Sequence, residues 1–511
     1  MIAMAKKRED RTREKKTSGD RDCDLDGGYH SPIKTVRDVT GQNIRDVLVH
    51  SRYMQILLSL TIIGLLLRFY NLGYNSLWLD EASTNTFAIL SISDIWQATM
   101  GGEFNPPLFY WIEHCMLVFG NNEFVLRFFP ALLGVLTIPL VYFVGREFMD
   151  RNVGLIAAAA FAFSPFLIFY SQEARAYSMM LFFVAFAMIF YFRALKTNDI
   201  TNWAIFGLLS ALAFWSHFYA LVIIGALVLW ALVVQALKYY KDIRMLLPMI
   251  IGWAVFAVIC SPLILITVQL FSSRTTGGPT FGLQGLQMII ATFQQLSGFS
   301  DILMYLFLAL FIIGIIQAFI IDKSKGVFLV LLTLLTFVIS FILSYKMPMV
   351  PRYLIFFSIV FFLGIAVSYK TLSIVVNSRV AVYGFIAIML VLNVPMLAGY
   401  YSGFSKDDWR GFSGQLQQVT KPGDLVVVVP GYVSQPLNYY YSNRSDQTRE
   451  FGASTGTELQ DLSVQKGNNT VYYVITGDIG SANPGGDALL WLKEHSRPVA
   501  QNTGIYLFVS Q

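Results

Sequence analysis

Charged residues are scarce in this chain of 511 residues, where Asp, Glu, Lys and Arg together make up only 14%. Soluble globular domains carry about 25%, whereas here hydrophobic residues reach 55% and the mean hydropathy is +0.56. A single soluble domain therefore describes this chain poorly. A net charge of +5 at pH 7 is too small at this length to indicate a nucleic-acid partner, so the basic residues are better interpreted as markers of membrane topology.

Cysteine is also rare. Cys23, Cys115 and Cys260 lie far apart and show no C-x-x-C spacing. The sequence therefore predicts neither a disulfide framework nor a zinc knuckle.

Large apolar residues are almost missing from the mixed-charge segment 1–50 before Ile33. Such a segment cannot bury a core, and it predicts a disordered cytoplasmic tail. It is too long and too acidic to begin a signal peptide, so we expect the first apolar run to remain as a membrane span.

Long apolar runs are what the chain has in abundance, and a membrane-spanning helix needs about 20 apolar residues. The runs lie at about 54–70, 124–145, 153–170, 177–195, 202–216, 218–237, 246–270, 302–321, 327–344, 352–369 and 379–400. A shorter run, 106–120, begins with two prolines and carries Glu113 and His114, so we expect it to lie on the membrane surface.

The basic residues of the connecting loops decide the number of spans. With about eleven spans these loops fall on the side of the basic tail, as the positive-inside rule requires, whereas a span at 106–120 would reverse the bias. We predict an α-helical polytopic protein of the cell membrane with about eleven transmembrane helices, juxtamembrane helices on the outer side and a cytoplasmic N-terminus.

Three regions then face outward from the transmembrane domain at 51–400. They are a loop over 71–123, a Gly-rich loop over 271–301 that we expect to be flexible, and the region 401–511. The last region alternates β-branched runs, DLVVVVP and TVYYVITG, with turn residues, which predicts a small extracytoplasmic α/β domain.

Two carboxylates stand out in the first outer loop. Asp80 and Glu81 follow Trp78, and no Lys or Arg occurs between Asn71 and Glu123. Carboxylates beside aromatic residues at a membrane surface can act as bases. The alternative is an ordinary acidic pair in which Asp80 caps a helix.

Basic residues on the outer side run against the positive-inside bias and lie mostly at span ends. They are Arg127, Arg175, Arg274, Lys346 and Arg352. Together they suit the phosphate of an anionic lipid, although each one alone could simply snorkel or pair with a nearby glutamate.

Two further outer positions carry groups suited to a site. Glu173 and Arg175, in FYSQEARAYS, form an ionisable pair between two spans, which indicates a functional site or a helix-end ion pair. His217, in FWSHFYAL, could bind phosphate or a metal, or be a satisfied interfacial histidine.

The order of LWLDEA, NPPLFYW, EFVLRFFPALLG and FYSQEARAYS resembles the membrane glycosyltransferases of the C superfamily. The similar members are of the family-39-like type, which includes protein O-mannosyltransferases and aminoarabinose transferases. The similarity covers roughly residues 54–400, and DWRGF followed by KPGDLVVV is similar to their outer C-terminal region. Each motif alone is weak, but their order together is typical of the superfamily without indicating a substrate.

The resemblance implies a role for each acidic residue and a class of donor. Asp80 would be the catalytic base, Glu81 its companion paired with Arg127, and Glu173 the second acid of the site. The implied donor is a polyprenyl- or dolichyl-phosphate sugar, with a hexose or pentose moved to an acceptor hydroxyl on a protein, lipid or glycan.

Asn105 stands where many members have a histidine before the two prolines, which leaves a phosphate or metal role there open. A divalent metal remains possible as a cofactor. The residues expected to bind donor phosphate or substrate are Arg127, Arg175, His217, Lys346, Arg352 and Asn105.

The residues suit this chemistry because an acceptor hydroxyl needs a base, whereas a lipid phosphate leaves readily once its charge is neutralised. A transporter or flippase of lipid-linked sugars is the main alternative, but it predicts ionisable residues near span centres, where this chain has almost none. A non-catalytic membrane scaffold is the second alternative, but it would not explain the outer arginines or the Asp80-Glu81 pair.

Overall fold

The computed structural model describes residues 25–511 except 28, 33–37, 39, 104, 277, 404–405, 442–447, 466 and 468. The chain divides into two compact units. The first comprises Met1–Arg68, Ala131–Ser171 and Ala176–Met396, and the second comprises Phe69–Pro130, Gln172–Arg175 and Leu397–Gln511. Much of the predicted tail lies outside the described residues, and within its described part Gly41–His50 forms a helix.

The α-helices up to the last apolar run are α1 (Gly41–His50), α2 (Arg52–Phe69), α3 (Leu79–Ala88), α4 (Ile92–Met100), α5 (Leu108–Met116), α6 (Glu123–Phe148), α7 (Arg151–Phe163), α8 (Pro165–Ser171), α9 (Tyr177–Thr197), α10 (Ile200–Ser216), α11 (Ala220–Tyr239), α12 (Leu247–Thr276), α13 (Gly285–Leu296), α14 (Asp301–Ile321), α15 (Lys323–Ser344), α16 (Phe357–Val367), α17 (Tyr369–Leu372) and α18 (Ser378–Tyr401). The helices that follow are α19 (Trp409–Val419), α20 (Ser434–Tyr441), α21 (Gly456–Val464), α22 (Ile479–Ala482) and α23 (Asp487–His495). The 3₁₀-helices are Leu117–Phe119, Ile243–Leu246, Pro351–Leu354 and Gly431–Val433. The strands are β1 (Leu425–Val429), β2 (Arg449–Gly452), β3 (Val471–Thr476), β4 (Ser496–Asn502) and β5 (Ile505–Ser510).

Eight helices in the described part of the chain are long and apolar enough to cross a membrane. A ninth is added if α7 and α8, bent by 61° at their junction, count as one span. Shorter apolar helices occupy Leu108–Phe119, Ile200–Ser216 and Phe357–Leu372. The predicted polytopic helical fold is confirmed, and a helix lies at each predicted run, while the count of about eleven spans stays a prediction.

Glycines allow the closest helix contacts in the first unit. A Cβ atom on Gly207 of α10 would collide with the backbone carbonyl of Gly252 in α12, and one on Gly314 of α14 with that of Gly364 in α16. Small residues at such crossings are typical of membrane helices. Apolar lipid gives no hydrophobic gain for helix association, so the helices associate through close van der Waals packing instead.

A buried arginine completes the backbone hydrogen bonding at the α7–α8 bend. Pro165 has no N–H, so the helical bond that would reach the carbonyl of Phe161 is missing. The guanidinium of Arg68 donates to the carbonyl oxygens of Phe161 at 3.0 Å and Ala162 at 3.1 Å. The arginine at the end of α2 thus stabilises the break.

The segment 106–120 and the loop 271–301, which we placed outside the spans, both contain helices. Residues 106–120 form α5 and a 3₁₀ turn whose Val118 and Phe119 are 84% and 76% exposed. Glu113 of α5 is fully buried, and burial raises its pKa well above the usual value, which explains how an acid fits this apolar helix. In the loop 271–301, α12 continues to Thr276 and α13 follows at Gly285–Leu296.

The C-terminal part of the second unit is built around a five-stranded sheet of order β2-β1-β3-β5-β4. Strand β1 pairs in parallel with β2 and β3, and β5 pairs antiparallel with β3 and β4. All five residues of β1 are buried, as expected for a Val-rich strand covered on both faces. The prediction of a small C-terminal α/β domain is therefore confirmed.

Candidate active site

The first outer loop turns into helix α3 where the acidic pair lies. Trp78 is the N-cap, and its backbone N–H donates to Oε2 of Glu81 at 3.4 Å. Asp80 and Glu81 therefore occupy the first turn, where the unsatisfied N–H groups of a helix favour negative charge. Glu81 is completely buried, whereas Asp80 keeps partial exposure.

Arg127 holds Glu81 with two short hydrogen bonds. Its Nε lies 2.6 Å from Oε1 and its Nη2 2.6 Å from Oε2. The other guanidinium hydrogens bond the carbonyl oxygens of three residues in the first outer loop, namely Leu72, Asn75 and Ser76. Because a guanidinium has five N–H donors, this set uses all of them, and the loop is wrapped around the arginine.

Lys406 is the second cation beside Glu81, and sequence reasoning missed it. Its Nζ lies 3.0 Å from Oε2 of Glu81 and 3.9 Å from Oε2 of Glu173, and its side chain is only 6% exposed. Burial alone would raise the pKa of Glu81, but Arg127 and Lys406 outweigh burial and lower that pKa to about 2. The structure thus brings Glu81, Arg127 and Glu173 together with Lys406.

The backbone next to Glu173 also contacts the acidic pair. The N–H of Ala174 donates to Oε1 of Glu81 at 2.9 Å. Nη1 of Arg175 lies 3.3 Å from the backbone oxygen of Asp80 and 3.4 Å from the hydroxyl of Thr84. The short segment between two spans therefore contacts Asp80, Glu81 and Thr84 at the start of α3.

The C-terminal domain places acidic groups near Asp80. Burial, and after it the charge of Asp80, raises the pKa of Asp478, which follows strand β3. Burial and the charge of Asp478 in turn raise the pKa of Asp407. The first outer loop and the region after the last apolar helix thus share one electrostatic environment within this unit.

Asn105 belongs to a second polar group in the same unit. Its Nδ2 lies 3.3 Å from the hydroxyl of Tyr110 and 3.4 Å from Oε1 of Glu103, and Tyr110 donates to that carboxylate at 2.8 Å. Burial and Glu103 raise the pKa of Tyr110, so it acts as a donor. His114 lies apart from this group, with Nδ1 2.8 Å from the backbone oxygen of Ala88.

The remaining predicted residues, His217, Arg352 and Lys346, lie in the first unit. Nε of Arg352 donates to the hydroxyl of Tyr177 at 3.1 Å, and its guanidinium lies 5.8 Å from the ring centre of Tyr353. The ring of His217 lies 5.5 Å from that of Tyr177 and 5.6 Å from that of Tyr353. Lys346 is exposed. The structure thus groups His217 and Arg352 around Tyr177 and Tyr353, which sequence reasoning did not single out.

Within the described part of the chain, no three His, Cys, Asp or Glu side chains are placed so that they could hold a metal ion.

A family model described as dolichyl-phosphate-mannose-protein mannosyltransferase matches residues 105–266. An uncharacterised protein of Aquifex aeolicus is 32% identical over 136 residues, which are 25% of this chain and 27% of that protein. The chain thus spans only about a quarter of this curated relative's length.

Solved structures match the chain far more completely. Apo ArnT from Cupriavidus metallidurans superposes with a TM-score of 0.59 at 12% identity, over 90% of this chain and 98% of ArnT. The same protein bound to undecaprenyl phosphate superposes with a TM-score of 0.53 at 13% identity, over 88% of this chain and 97% of ArnT. AglB from Archaeoglobus fulgidus, in complex with an inhibitory peptide and a dolichol-phosphate, superposes with a TM-score of 0.53 at 14% identity, over 91% of this chain and 75% of AglB.

The chain has the fold of ArnT and AglB. The resemblance inferred from the order of short motifs is thereby confirmed. The segment of the family match begins at Asn105 and contains Arg127, Glu173, Arg175 and His217, so most of the predicted site residues lie inside it. Asp80 and Glu81 precede it, and Lys346, Arg352 and Lys406 follow it.

Proposed function

We propose that this protein is an integral membrane glycosyltransferase. It moves a sugar, a hexose or pentose, from a polyprenyl- or dolichyl-phosphate donor to an acceptor hydroxyl on the extracytoplasmic side, with inversion at the anomeric carbon. The donor class is supported by the family description, which names dolichyl-phosphate mannose, and by ArnT and AglB, whose structures contain undecaprenyl phosphate and dolichol-phosphate.

The contrast between Asp80 and Glu81 is the observation that carries the proposal. Glu81 is completely buried and accepts hydrogen bonds from Arg127, Lys406 and the backbone N–H of Ala174. Asp80, its neighbour in the same helical turn, remains partly exposed. Of the two carboxylates, Asp80 is therefore the one that a substrate hydroxyl can reach, and Glu81 fixes the turn on which Asp80 stands.

The chemistry then needs one base and several cations. As the acceptor oxygen attacks the anomeric carbon, Asp80 takes the hydroxyl proton, and the bond from that carbon to the phosphate oxygen breaks with its electron pair leaving on the lipid phosphate. Cations bind the lipid phosphate, for which the candidates are Arg175, Lys346 and Arg352, and a cation that is engaged more strongly as charge develops on the departing oxygen raises turnover. Glu173 positions the acceptor or an arginine, because a lipid phosphate needs no general acid.

The remaining residues have supporting tasks. Because its donors are already engaged, Arg127 acts through the loop that it organises. His217, in contact with the tyrosine that accepts from Arg352, helps to bind the donor. Asn105 is assigned to substrate through the Glu103–Tyr110 group.

Transfer from a labelled donor tests the proposal. Membranes holding the wild-type protein, or no protein, are incubated with polyprenyl-phosphate sugars carrying radiolabelled mannose, glucose or aminoarabinose, and water-soluble and acceptor-bound label is counted. We expect release of at least one sugar, with polyprenyl phosphate as the second product. Movement of intact donor between leaflets without cleavage would instead indicate a flippase, and neither cleavage nor movement of any donor would favour a scaffold.

A further inference from the structure

Four ionisable side chains form a buried quartet in the second unit: Glu81, Glu173, Arg127 and Lys406. Their side chains are 0%, 0%, 2% and 6% exposed, respectively. Two carboxylates and two cations balance one another, which is what burial of charge requires. The resemblance and the sequence accounted for three of the four members, and no role has been assigned to Lys406.

The two cations of the quartet are not equivalent. Arg127 donates all five of its guanidinium hydrogen bonds, two to Glu81 and three to backbone carbonyl oxygens. Lys406 contacts both carboxylates, with Nζ 3.0 Å from Glu81 and 3.9 Å from Glu173. Burial lowers the pKa of Lys406, while Glu81 and Glu173 oppose that effect. The lysine thus links the two acids of the site through its Nζ.

We propose that Lys406 is a positioning residue of this site, which holds Glu81 and Glu173 in their ionised state and fixes the helical turn that carries Asp80. Its consequences for transfer rest on the function proposed above, whereas its effect on the two carboxylates does not. The residue comes from the segment that follows α18, so the C-terminal region supplies part of the site rather than only a domain attached to it.

The segment that carries Lys406 is itself anchored to the first outer loop. Asp408 accepts from the hydroxyl of Ser76 at 3.1 Å and from the side-chain amide of Asn502 at 3.0 Å. Arg410 donates to the carbonyl oxygen of Gly73 at 3.1 Å and through Nε to Glu123 at 3.0 Å. These hydrogen bonds are made within five residues of Lys406, so they hold the backbone segment that positions its ammonium group.

Three tyrosines complete the surroundings of the quartet. Tyr400, at the end of α18, interacts electrostatically with Arg127, Glu81 and Glu173. Tyr439 and Tyr440 lie on α20; Tyr439 interacts with Arg127 and Glu81, and Tyr440 with Arg127. Burial, and after it the charge of Glu123, raises the pKa of Tyr439 to about 12 and also raises the pKa of Tyr440. These two phenols are neutral near pH 7 and do not replace the charge of Lys406.

Removal of the ammonium group therefore has a defined consequence. In Lys406→Met the quartet keeps two carboxylates but one cation, so it binds a proton more readily than in the wild type. Because Glu81 retains Arg127, the proton goes to Glu173. An opposite charge at this range shifts carboxyl titration by about 1–3 pH units, so protonation in the variant occurs that much higher in pH.

Infrared titration of the purified protein measures this shift without any substrate. The carbonyl band of protonated carboxylic acids is followed with pH in the wild type, Lys406→Met, Lys406→Arg and Lys406→Met/Glu173→Gln. We expect an additional protonation event about 1–3 units higher in Lys406→Met, loss of that event in the double variant, and wild-type behaviour in Lys406→Arg. An unshifted band in Lys406→Met, or a shift that survives Glu173→Gln, overturns the proposal.

The folding of the variants is controlled within the same set. Lys406→Arg keeps the charge, and Lys406→Met/Glu173→Gln restores the balance of one carboxylate and one cation, so we expect both to fold even if the single variant does not. Failure of Lys406→Met to fold while both of these fold supports the charge link. The exposed Lys421 provides the matched control, because Lys421→Met removes a lysine from the same region.

The transfer assay tests the role of Lys406 in catalysis through turnover and its pH profile. We expect Lys406→Met to lower turnover about 10-fold or more at pH 7 and to move the acid limb of its pH profile upward, because activity needs the ionised acids. Lys406→Arg should restore most of the turnover and Lys421→Met should change nothing. Wild-type turnover and pH profile in Lys406→Met would contradict the proposal, whereas an inactive wild type would contradict the proposed function and leave the infrared titration to decide on the lysine.

Discussion

The hydroxyl of Ser76 donates to Oδ1 of Asp408 at 3.1 Å, and these two residues are 332 positions apart in the sequence. Ser76 also accepts the backbone N–H of Arg410 at 3.1 Å. Ser76 lies in the loop that leads into α3, and Asp408 is the N-cap of α19, with its carboxylate accepting the N–H of Gly411 at 3.0 Å. The capping residue of a C-terminal helix thus also holds the loop that presents the acidic pair.

Asp408→Ala should therefore destabilise the second unit more than a cap alone would. Loss of the cap costs about 1 kcal/mol, and loss of the bonds to Ser76 and Asn502 adds about 1 kcal/mol. We expect a decrease of about 2 kcal/mol in the free energy of unfolding, measured by denaturation in detergent. Asp461→Ala, at an exposed position of α21, is the control for removal of a carboxylate, and a loss of only about 1 kcal/mol in Asp408→Ala, as for a cap alone, would contradict the double role of Asp408.

The depressed pKa of Glu81 makes stability depend on acid pH. The folded-state pKa of about 2 lies below the ordinary value of 4.5, so the stabilisation is present above pH 4.5 and is lost as the pH falls towards 2. We expect the melting temperature of the wild type to fall over this interval and that of Glu81→Gln, already lower at pH 7, to fall less. The exposed Glu494→Gln should follow the wild type, and parallel curves for Glu81→Gln and the wild type would contradict this.

The sequence predicted the helical membrane fold, the C-terminal domain and the acidic pair because these depend on local features. Apolar runs, alternating β-branched residues and the motif around Asp80 are each visible within about twenty residues. The pairing of Glu81 with Arg127 came only from the resemblance, because no local pattern brings together side chains 46 residues apart.

Lys406 escaped sequence reasoning for a physical reason. It lies 325 residues from Glu81, in a polar region where a lysine is ordinarily solvated, and only the fold places it among buried carboxylates. The available signal was its position just before DWRGF, a motif already identified as similar to the superfamily. The tyrosines around His217 and Arg352 escaped for a similar reason, because the aromatic residues of membrane segments are too numerous to single out.

Cysteine labelling tests the predicted topology. In a variant without native cysteines, Ser93→Cys in α4 and Gln418→Cys in α19 provide exposed positions in the first outer loop and the C-terminal domain, and Lys241→Cys provides one on the side predicted to be cytoplasmic. We expect an impermeant maleimide to label the first two in intact cells and the third only after permeabilisation. Labelling of Ser93→Cys with protection of Gln418→Cys would mean that residues 106–120 cross the membrane.

Asp80→Asn should abolish transfer while leaving the fold intact. A general base contributes about 10²–10⁴-fold to the rate, and a substitution at a partly exposed position costs little stability. Turnover at saturating donor should fall by that factor with an unchanged melting temperature, and the exposed Asp94→Asn on α4 should retain wild-type turnover. Retention of more than about a tenth of turnover in Asp80→Asn would assign the base to another carboxylate, with Glu173 the next candidate.

Arg352 is the cation that we expect to act on the leaving phosphate. It lies in the 3₁₀-helix Pro351–Leu354, where the proline restricts the backbone, and the hydroxyl of Tyr177 holds its Nε at 3.1 Å. A guanidinium fixed in this way can engage the departing oxygen more strongly as charge builds up, and such an interaction lowers turnover when it is removed.

Steady-state kinetics with purified polyprenyl-phosphate sugar distinguish this role from simple donor binding. A charge-assisted contact is worth roughly 1.5–3 kcal/mol, so Arg352→Ala should lower turnover about ten- to a hundredfold. Tyr177→Phe should lower it less, because the charge remains and only its orientation is loosened. Lys346→Ala, which removes an exposed ammonium group, should raise the KM alone, since a flexible lysine contacts ground-state and transition-state phosphate alike. Unchanged turnover and KM in Arg352→Ala would place this arginine outside the site and leave it as an anchor at the end of its helix.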